Sequence, residues 1–175
     1  MSDAGSPDVA ALIEQLLSTD AKRRAEAAEL LSRAGSSAAA AAAELVRACG
    51  DGDERVREWA VAALEELGPP PAAAIARLIE LVSNRDALVA YWAVTLLGRA
   101  GENAASAVSG LAACVESTAD LSVRQRAAWA LGEIGPAAAS ARAALGRAAG
   151  QADPRLARLA QEALEALAVS EKSHP

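Results

Sequence analysis

Histidine is nearly missing from this sequence, and its one copy, His174, is next to the last residue. A Ser-His-Asp or Cys-His arrangement therefore cannot be drawn within the body of the chain. Two cysteines alone cannot supply the ligands of a usual zinc site. No GxxxxGK[ST] or GxGxxG segment is present to cradle a phosphate. These absences predict a protein that is not an enzyme, with no catalytic residues, no cofactor and no metal.

Aromatic residues and lysines are also scarce. There is no Phe, and the aromatic fraction is 2%, so the core must be built from Ala, Leu, Val and Ile. The chain has 17 basic and 23 acidic residues, which gives a formal charge of −6. A net negative chain is poorly suited to neutralising phosphates, and we predict no nucleic-acid partner. The use of Arg and Ala over Lys favours a bacterial source with a GC-rich genome.

Neither a membrane span nor a signal peptide is indicated. The longest alanine run, 38–43, is far too short to cross a bilayer. The opening residues MSDAGSPDVA lack both a basic region and an apolar run. We therefore expect no membrane partner and a cytoplasmic location.

A repeat runs through most of the chain, with spacings of 33, 33, 34 and 33 residues. A fixed period of this length is typical of stacked arrays, in which each unit buries its face against its neighbours. The repeat has an aspartate, then an alanine, then a leucine four residues after the alanine. These positions are Asp20, Asp53, Asp86, Asp120 and Asp153; Ala27, Ala60, Ala93, Ala127 and Ala160; and Leu31, Leu64, Leu97, Leu131 and Leu164.

Each repeat position has a physical role in a helix. Aspartate accepts hydrogen bonds from the unpaired N–H groups of a helix start and suits its positive end. The alanine lets a neighbouring helix come close, and the leucine lies on the same apolar stripe. A glycine closes each of the first four copies because it adopts the left-handed conformation that ends a helix. We expect helix breaks at Gly35, Gly68 to Pro71, Gly101, and Gly135 to Pro136.

A second apolar stripe follows each stop and predicts a second helix in each unit. The fold class is therefore all-α, an α-α superhelix with about ten helices. They form four full helix pairs, at about 20–50, 53–83, 86–116 and 120–150, with a half-repeat at each end. We expect residues 1–6 to be a disordered lead, 7–168 a single solenoid domain and 169–175 a flexible tail.

The motif carries a family resemblance. Asp-x-x-Val-Arg-x-x-Ala-x-x-x-Leu-x-x-x-Gly, present at 53–68 and 120–135, resembles the HEAT repeat, in the short type found in phycobilin-lyase-like proteins. The resemblance implies a HEAT-like solenoid but leaves the function open, because repeat scaffolds host many roles. The third and fifth copies depart from it, with Ala90 and Ala157 in place of the arginine. The tetratricopeptide period is similar, but its Trp, Gly and Tyr pattern is missing.

Two cysteines, Cys49 and Cys114, fall on the apolar stripes of second helices two repeats apart. Stacked layers would hold them beyond the reach of a disulfide. We predict that both are buried, reduced thiols, which fits a reducing compartment.

The leading functional interpretation is a non-catalytic scaffold or adaptor that binds a protein partner. An alternative implied by the resemblance is an accessory subunit of a phycobilin-lyase-like enzyme. A third is a structural part of a larger assembly, joined through its ends.

Tyr91 and Trp129 are the candidate partner-docking residues. At about 100° per residue, Tyr91 points nearly opposite the core of its helix and Trp129 roughly 145° away from the core of its own. In register the two rings could share one patch, and aromatic side chains within reach of water are enriched at binding anchors. The competing interpretation is that Arg124 and Arg126 simply cover Trp129. For Trp59 and Trp92, which share one register position, we favour packing between repeats.

Overall fold

The computed structural model describes residues 8–117 and 119–168, and in these residues the regular secondary structure is helical, with no β-strand. The predicted all-α class is thereby confirmed. The proposed lead, 1–6, and tail, 169–175, lie outside the described residues.

The repeating helices begin close to the predicted positions. Second helices of the units are preceded by short 3-10 segments or by a proline-rich turn. The helices are α1 (Val9–Leu16), α2 (Ala21–Ala34), α3 (Ala42–Ala48), α4 (Glu54–Glu66), α5 (Ala72–Leu81), α6 (Ala87–Arg99), α7 (Val108–Ser117), α8 (Leu121–Ile134), α9 (Arg142–Ala149) and α10 (Pro154–Ala168). The 3-10 segments are Gly35–Ala41, Gly101–Ala107 and Gly135–Ala141.

The prediction of about ten separate helices is wrong in one respect. Counted as uninterrupted stretches, the helical backbone of the described residues forms eight. The reason is that 3-10 segments begin at Gly35 and Gly135, directly after α2 and α8, and run straight into α3 and α9. The backbone bends at these glycines, but i→i+3 hydrogen bonds continue beyond the bend, where the sequence suggested a stop.

Contacts divide the chain into two compact units, with the division between Ala74 and Ile75. In the first unit, α2 packs against α1 and α4, and α3 packs against α4. In the second, α8 packs between α6 and α10, while α7 and α9 lie against these helices from the other layer. The expectation of one domain over 7–168 stays a prediction.

Aspartate begins the first helix of every repeat. At each of these positions the carboxylate accepts a hydrogen bond from a backbone N–H two or three residues later. The donors are the N–H groups of Lys22 to Asp20, Arg55 and Val56 to Asp53, Leu88 and Val89 to Asp86, Val123 to Asp120, and Leu156 to Asp153. A side-chain cap of this kind contributes about 1 kcal/mol.

Glycines with positive φ mark the ends of the first helices. Gly35, Gly68, Gly101 and Gly135 have φ values of 53°, 71°, 57° and 68°. At Gly35 the ψ angle is −131°, so this residue adopts a positive-φ conformation that differs from the left-handed helical one. Only glycine tolerates this backbone without strain, and it turns the chain from one helix layer into the next.

The alanines of the repeat are completely buried where helices approach. All five have no exposed surface, and the leucines at 31, 64, 97 and 131 are equally buried. Leu164 is partly exposed, because no described helix lies beyond α10. A Cβ added at Gly132 of α8 would lie 3.2 Å from the Cα of Ala163 in α10. Small residues therefore set the spacing between neighbouring first helices.

Arginines that follow the aspartate by four residues connect the loops. Arg24 donates to the carbonyl oxygens of Ser18 and Thr19, and Arg57 to those of Asp51 and Gly52. Arg24 also makes a two-pronged ion pair with Asp51, at 2.8 Å and 2.9 Å. Each arginine thus fixes the loop ahead of its own helix.

The same arrangement recurs in the second unit. Arg124 donates to the carbonyl oxygen of Val115 at 2.9 Å and to the side chain of Gln151, the counterpart of Asp51 in register. Ala90 and Ala157 occupy this position in α6 and α10 and cannot make the contact. The sequence departures noted above therefore remove particular loop contacts while leaving the helices intact.

Both cysteines are buried, as predicted, with exposures of 1% for Cys49 and 5% for Cys114, and neither is in a disulfide. The thiol of Cys114 lies 3.6 Å from the carbonyl oxygen of Val82.

Replacing Asp51 by Asn should lower the stability of the chain in a pH-dependent way. The hydrogen-bonded Arg24 guanidinium holds the pKa of the Asp51 carboxyl below its usual value. Because the folded pKa is the lower one, this stabilisation is full above the unfolded pKa of about 4 and is lost as pH falls through the folded pKa. The deficit of Asp51→Asn in urea unfolding should therefore be largest near neutral pH and shrink below about pH 4.

A matched control is Glu58→Gln, because Glu58 is an exposed acidic residue of the same unit that lies past the first turn of α4. Its free energy of unfolding should differ little from that of the unmodified chain, because an exposed side chain makes few contacts. Equal deficits for Asp51→Asn at pH 7 and pH 3 would contradict the assigned role.

Candidate functional site

The candidate docking residues lie on two neighbouring first helices of the second unit. Tyr91 is on α6, Trp129 is on α8, and α8 packs directly against both α6 and α10. Both aromatic side chains are half-buried.

Arg126 lies between the two rings. Its guanidinium carbon is 4.8 Å from the ring centroid of Tyr91 and 4.8 Å from that of Trp129. An N–H of the same guanidinium donates to the Tyr91 hydroxyl. Cations at this distance over aromatic faces are attracted by the ring quadrupole. The structure therefore brings Tyr91 and Trp129 together, as their register suggested, with a positive charge held between them.

Of the two arginines expected to cover Trp129, only Arg126 contacts its ring. Arg124 instead binds the carbonyl oxygen of Val115 and the side chain of Gln151.

Trp129 also packs against the neighbouring helix. A Cβ added at Gly98 of α6 would come within 3.0 Å of three carbons of the Trp129 ring. The ring therefore occupies the space that the missing side chain leaves open. The angular estimate from α8 alone placed this ring far from its own core, but it could not show that a glycine on α6 would receive it.

Trp92 is buried, with 7% exposure, and its ring meets that of Tyr91 edge to face at a centroid distance of 5.9 Å. Arg99 covers the Trp92 ring at 5.7 Å. Its burial agrees with a packing role. Trp59, in the first unit, is half-buried.

Three adjoining cavities open around these side chains. The central one, of about 200 Å³, shares Tyr91 and Ser122 with a cavity of about 320 Å³, and shares Trp129 and Leu159 with one of about 120 Å³. Together they form what we call the α6–α8–α10 groove. Its central part is lined by Tyr91, Ser122, Gln125, Arg126, Trp129, Arg155 and Leu159.

Two arginines, Arg126 and Arg155, line the central part of the groove. Within the described residues, neither Arg126 nor Arg155 has a carboxylate at ion-pair distance, whereas Arg147 pairs with Glu116 and Arg158 pairs with Glu162. The nearby carboxylate of Asp153 is engaged by the N–H of Leu156, 2.7 Å away, and by the side chain of Gln125, 3.0 Å away.

The same two contacts hold the pKa of Asp153 below its usual value, the Leu156 N–H having the larger effect, and the charges of Arg124 and Arg155 lower it further. On the adjoining side of the groove, the pKa of Asp120 is lowered chiefly by the hydroxyl of Ser122. Both aspartates are therefore ionised at neutral pH and already hydrogen-bonded within the chain.

Sequence reasoning missed Arg155, Gln125 and Leu159 and treated Arg126 as a cover. The spacing of these residues from the repeat aspartates could have identified part of the groove. Leu88, Ser122 and Arg155 each follow the repeat aspartate by two residues, and Tyr91 and Gln125 follow it by five. Positions three apart share a helix face, so aligning the repeats would have grouped these residues.

No group of three or more His, Cys, Asp or Glu side chains is placed to hold a metal ion in 8–117 or 119–168. In the same residues, no helix has the length and apolar character needed to cross a membrane.

A family model of HEAT repeats matches residues 9–86 and 75–168, which confirms the resemblance seen in the repeat motif. Comparison with curated protein sequences gave no match.

Solved structures of helical-repeat proteins are similar over most of the chain. An engineered protein has a TM-score of 0.63 at 26% identity, covering 91% of this chain and 78% of its own. A designed armadillo repeat protein in complex with the peptide (KR)4 has a TM-score of 0.66 at 20% identity, with coverages of 91% and 81%. The complex of CpcE and CpcF of phycocyanin lyase from Nostoc sp. has a TM-score of 0.63 at 24% identity, with coverages of 95% and 68%.

Replacing Gly98 by Ala should destabilise the chain by about 1–3 kcal/mol, because the new methyl group overlaps the Trp129 ring. The matched control is Gly146→Ala in α9, where an added Cβ meets nothing within 4 Å. There the better helix propensity of Ala should stabilise by about 0.5–1 kcal/mol. Urea unfolding of both variants gives the comparison.

The cause can be isolated with Trp129→Ala. In that background, Gly98→Ala should no longer destabilise. An equal cost with and without the Trp129 ring would show that the packing of Trp129 on Gly98 is not responsible.

Proposed function

We propose that this chain, which belongs to the HEAT-repeat family, is a non-catalytic scaffold that binds a protein partner. The observation that carries the proposal is the α6–α8–α10 groove, where Tyr91 and Trp129 are both partly accessible and an arginine is fixed between them. Aromatic and arginine side chains are the types most enriched at binding anchors. We place the docking surface at Tyr91 and Trp129, within this groove.

Similar folds in complexes support the idea. The designed armadillo repeat protein is in complex with a peptide, and CpcE is in complex with CpcF. Helical repeats offer extended surfaces to such partners. A scaffold of this kind requires a surface that binds its partner and no catalytic group.

The absence of catalytic residues is part of the proposal. The sole histidine, His174, lies outside the described residues, and the pKa shifts of Asp120 and Asp153 are explained by helix capping and neighbouring hydrogen bonds. Structural contacts of this kind need no catalytic explanation. A cytoplasmic location also belongs to the proposal, supported by the two buried thiols.

A second candidate is an accessory subunit of a phycobilin-lyase-like enzyme. The similarity to the CpcE and CpcF complex, which extends over 95% of this chain, favours it. In that case the partner would be a companion repeat chain, and pigment would accompany the complex.

The test is affinity capture from native lysate with the unmodified chain, a groove variant and a control variant. Leu88→Ser combined with Tyr91→Ser alters the groove, while Leu17→Ser removes an exposed leucine, 66% accessible, from the first unit. We expect a protein retained by the unmodified chain and by Leu17→Ser but reduced about ten-fold or more with the groove variant. Circular dichroism and melting curves must show that all three remain folded.

Each other outcome has a distinct meaning. No protein retained above background would contradict the scaffold function. Equal retention by the groove variant would move the docking surface elsewhere. Visible absorbance of a bound pigment in the captured complex would favour the lyase-like alternative.

A further inference from the structure

We infer that the α6–α8–α10 groove takes an acidic segment of a protein partner, with one carboxylate seated in the central cavity lined by Arg126 and Arg155. The inference deepens the proposed function and rests on it, since it names the chemistry of the segment that the scaffold binds.

The two arginines are the first argument. In the described residues, no carboxylate lies at ion-pair distance from Arg126 or Arg155, although the charge of Arg155 contributes to lowering the pKa of Asp153. Both arginines line one cavity of about 200 Å³. Guanidinium groups bind carboxylates through charge-assisted, often paired hydrogen bonds, and a ligand carboxylate would supply the partner that the chain does not.

Arg126 is already held in place. Its guanidinium lies 4.8 Å from each of two ring centroids, and one N–H donates to the Tyr91 hydroxyl. A guanidinium carries five N–H donors, so others remain for a ligand. Because the side chain is ordered before binding, less conformational entropy is lost when a carboxylate arrives.

The negative charge of the chain is unevenly distributed between the two compact units. Residues 8–74 carry seven basic and twelve acidic side chains, whereas residues 75–168 carry nine arginines and nine acidic side chains. The negative excess therefore belongs mainly to the first unit. In the second unit, the residues that line the central cavity include Arg126 and Arg155 and no carboxylate, and the carboxylate of Asp153 is already hydrogen-bonded to Gln125 and to the N–H of Leu156.

The two ends of the groove differ. At one end the cavity is lined by Ala87 and by Leu88, which is 38% exposed. At the other, Trp129, Leu159 and two alanines are joined by Glu133 and by Glu162, which pairs with Arg158. We therefore expect an acidic residue over the central cavity and an apolar residue beside it, toward Leu88. A nucleic acid would need a longer run of cations than two arginines.

The experiment is a selection of random dodecapeptides displayed on phage, with the full chain as the target. The enriched sequences should contain Asp or Glu with an apolar residue on one side of it. Replacing that acid by its amide in the synthetic peptide should weaken binding about ten-fold or more. Raising the salt concentration should weaken it as well, because the contact is between charges near the surface.

Matched variants locate the contact. Arg155→Gln removes an exposed charge that lines the groove and should weaken binding about ten-fold. Arg142→Gln removes an exposed charge of the same unit on α9, outside the groove, and should have little effect. When the synthetic peptide is added to the chain labelled with nitrogen-15, the NMR signal of the Trp129 indole N–H should shift. The indole N–H signal of Trp59 should not shift.

Contrary results are equally specific. Enrichment of Lys- and Arg-rich peptides, equal affinity for the amide peptide, or unchanged binding to Arg155→Gln would each overturn the acidic-segment inference while leaving a protein-binding scaffold in place. If no peptide is enriched but lysate capture still yields a partner, this inference fails and the proposed function survives. If both experiments retain nothing, both are overturned.

Discussion

The close packing of neighbouring first helices is the constraint on which the rest of the structure depends. Five alanines with no exposed surface occupy the repeat position, and at Gly132 even a single added carbon would press on the backbone of Ala163. A core with so few aromatic residues gains its stability from many short-range contacts between small and medium side chains. A large ring such as that of Trp129 is accommodated where a glycine on the neighbouring helix leaves room.

Trp129 shows how this constraint creates the candidate site. Its ring cannot enter the alanine contacts of α8, and it lies over Gly98 on the neighbouring helix instead. There it is accessible enough to meet Arg126, which in turn contacts Tyr91. The groove is thus a consequence of how a large residue is accommodated between closely spaced helices, and its positive charge comes from arginines that the same helices present.

Charge has different roles in the two compact units. In the first, Arg24 and Asp51 satisfy each other, and their pairing fixes a loop between helices. In the second, the equivalent arginine, Arg124, binds an uncharged glutamine, while Arg126 and Arg155 face a cavity. Pairing within the chain favours a structural role, whereas a guanidinium that faces a cavity is available to a ligand. This contrast supports a binding site in the second unit, although the two units share the same repeat motif.

The sequence by itself determined the all-α class, the register of the repeats, the aspartate caps, the glycine turns and the family. These features follow from local chemistry, since a cap, a stripe or a positive φ depends on residues a few positions apart. The sequence did not show that 3-10 turns would join α2 to α3 and α8 to α9, because hydrogen-bond choice at a helix end depends on the next packed layer. It also left Arg155 unnoticed. Only the tertiary structure decided which side chains on α6, α8 and α10 surround one cavity, because residues 26 to 68 positions apart meet there through the packing of three helices.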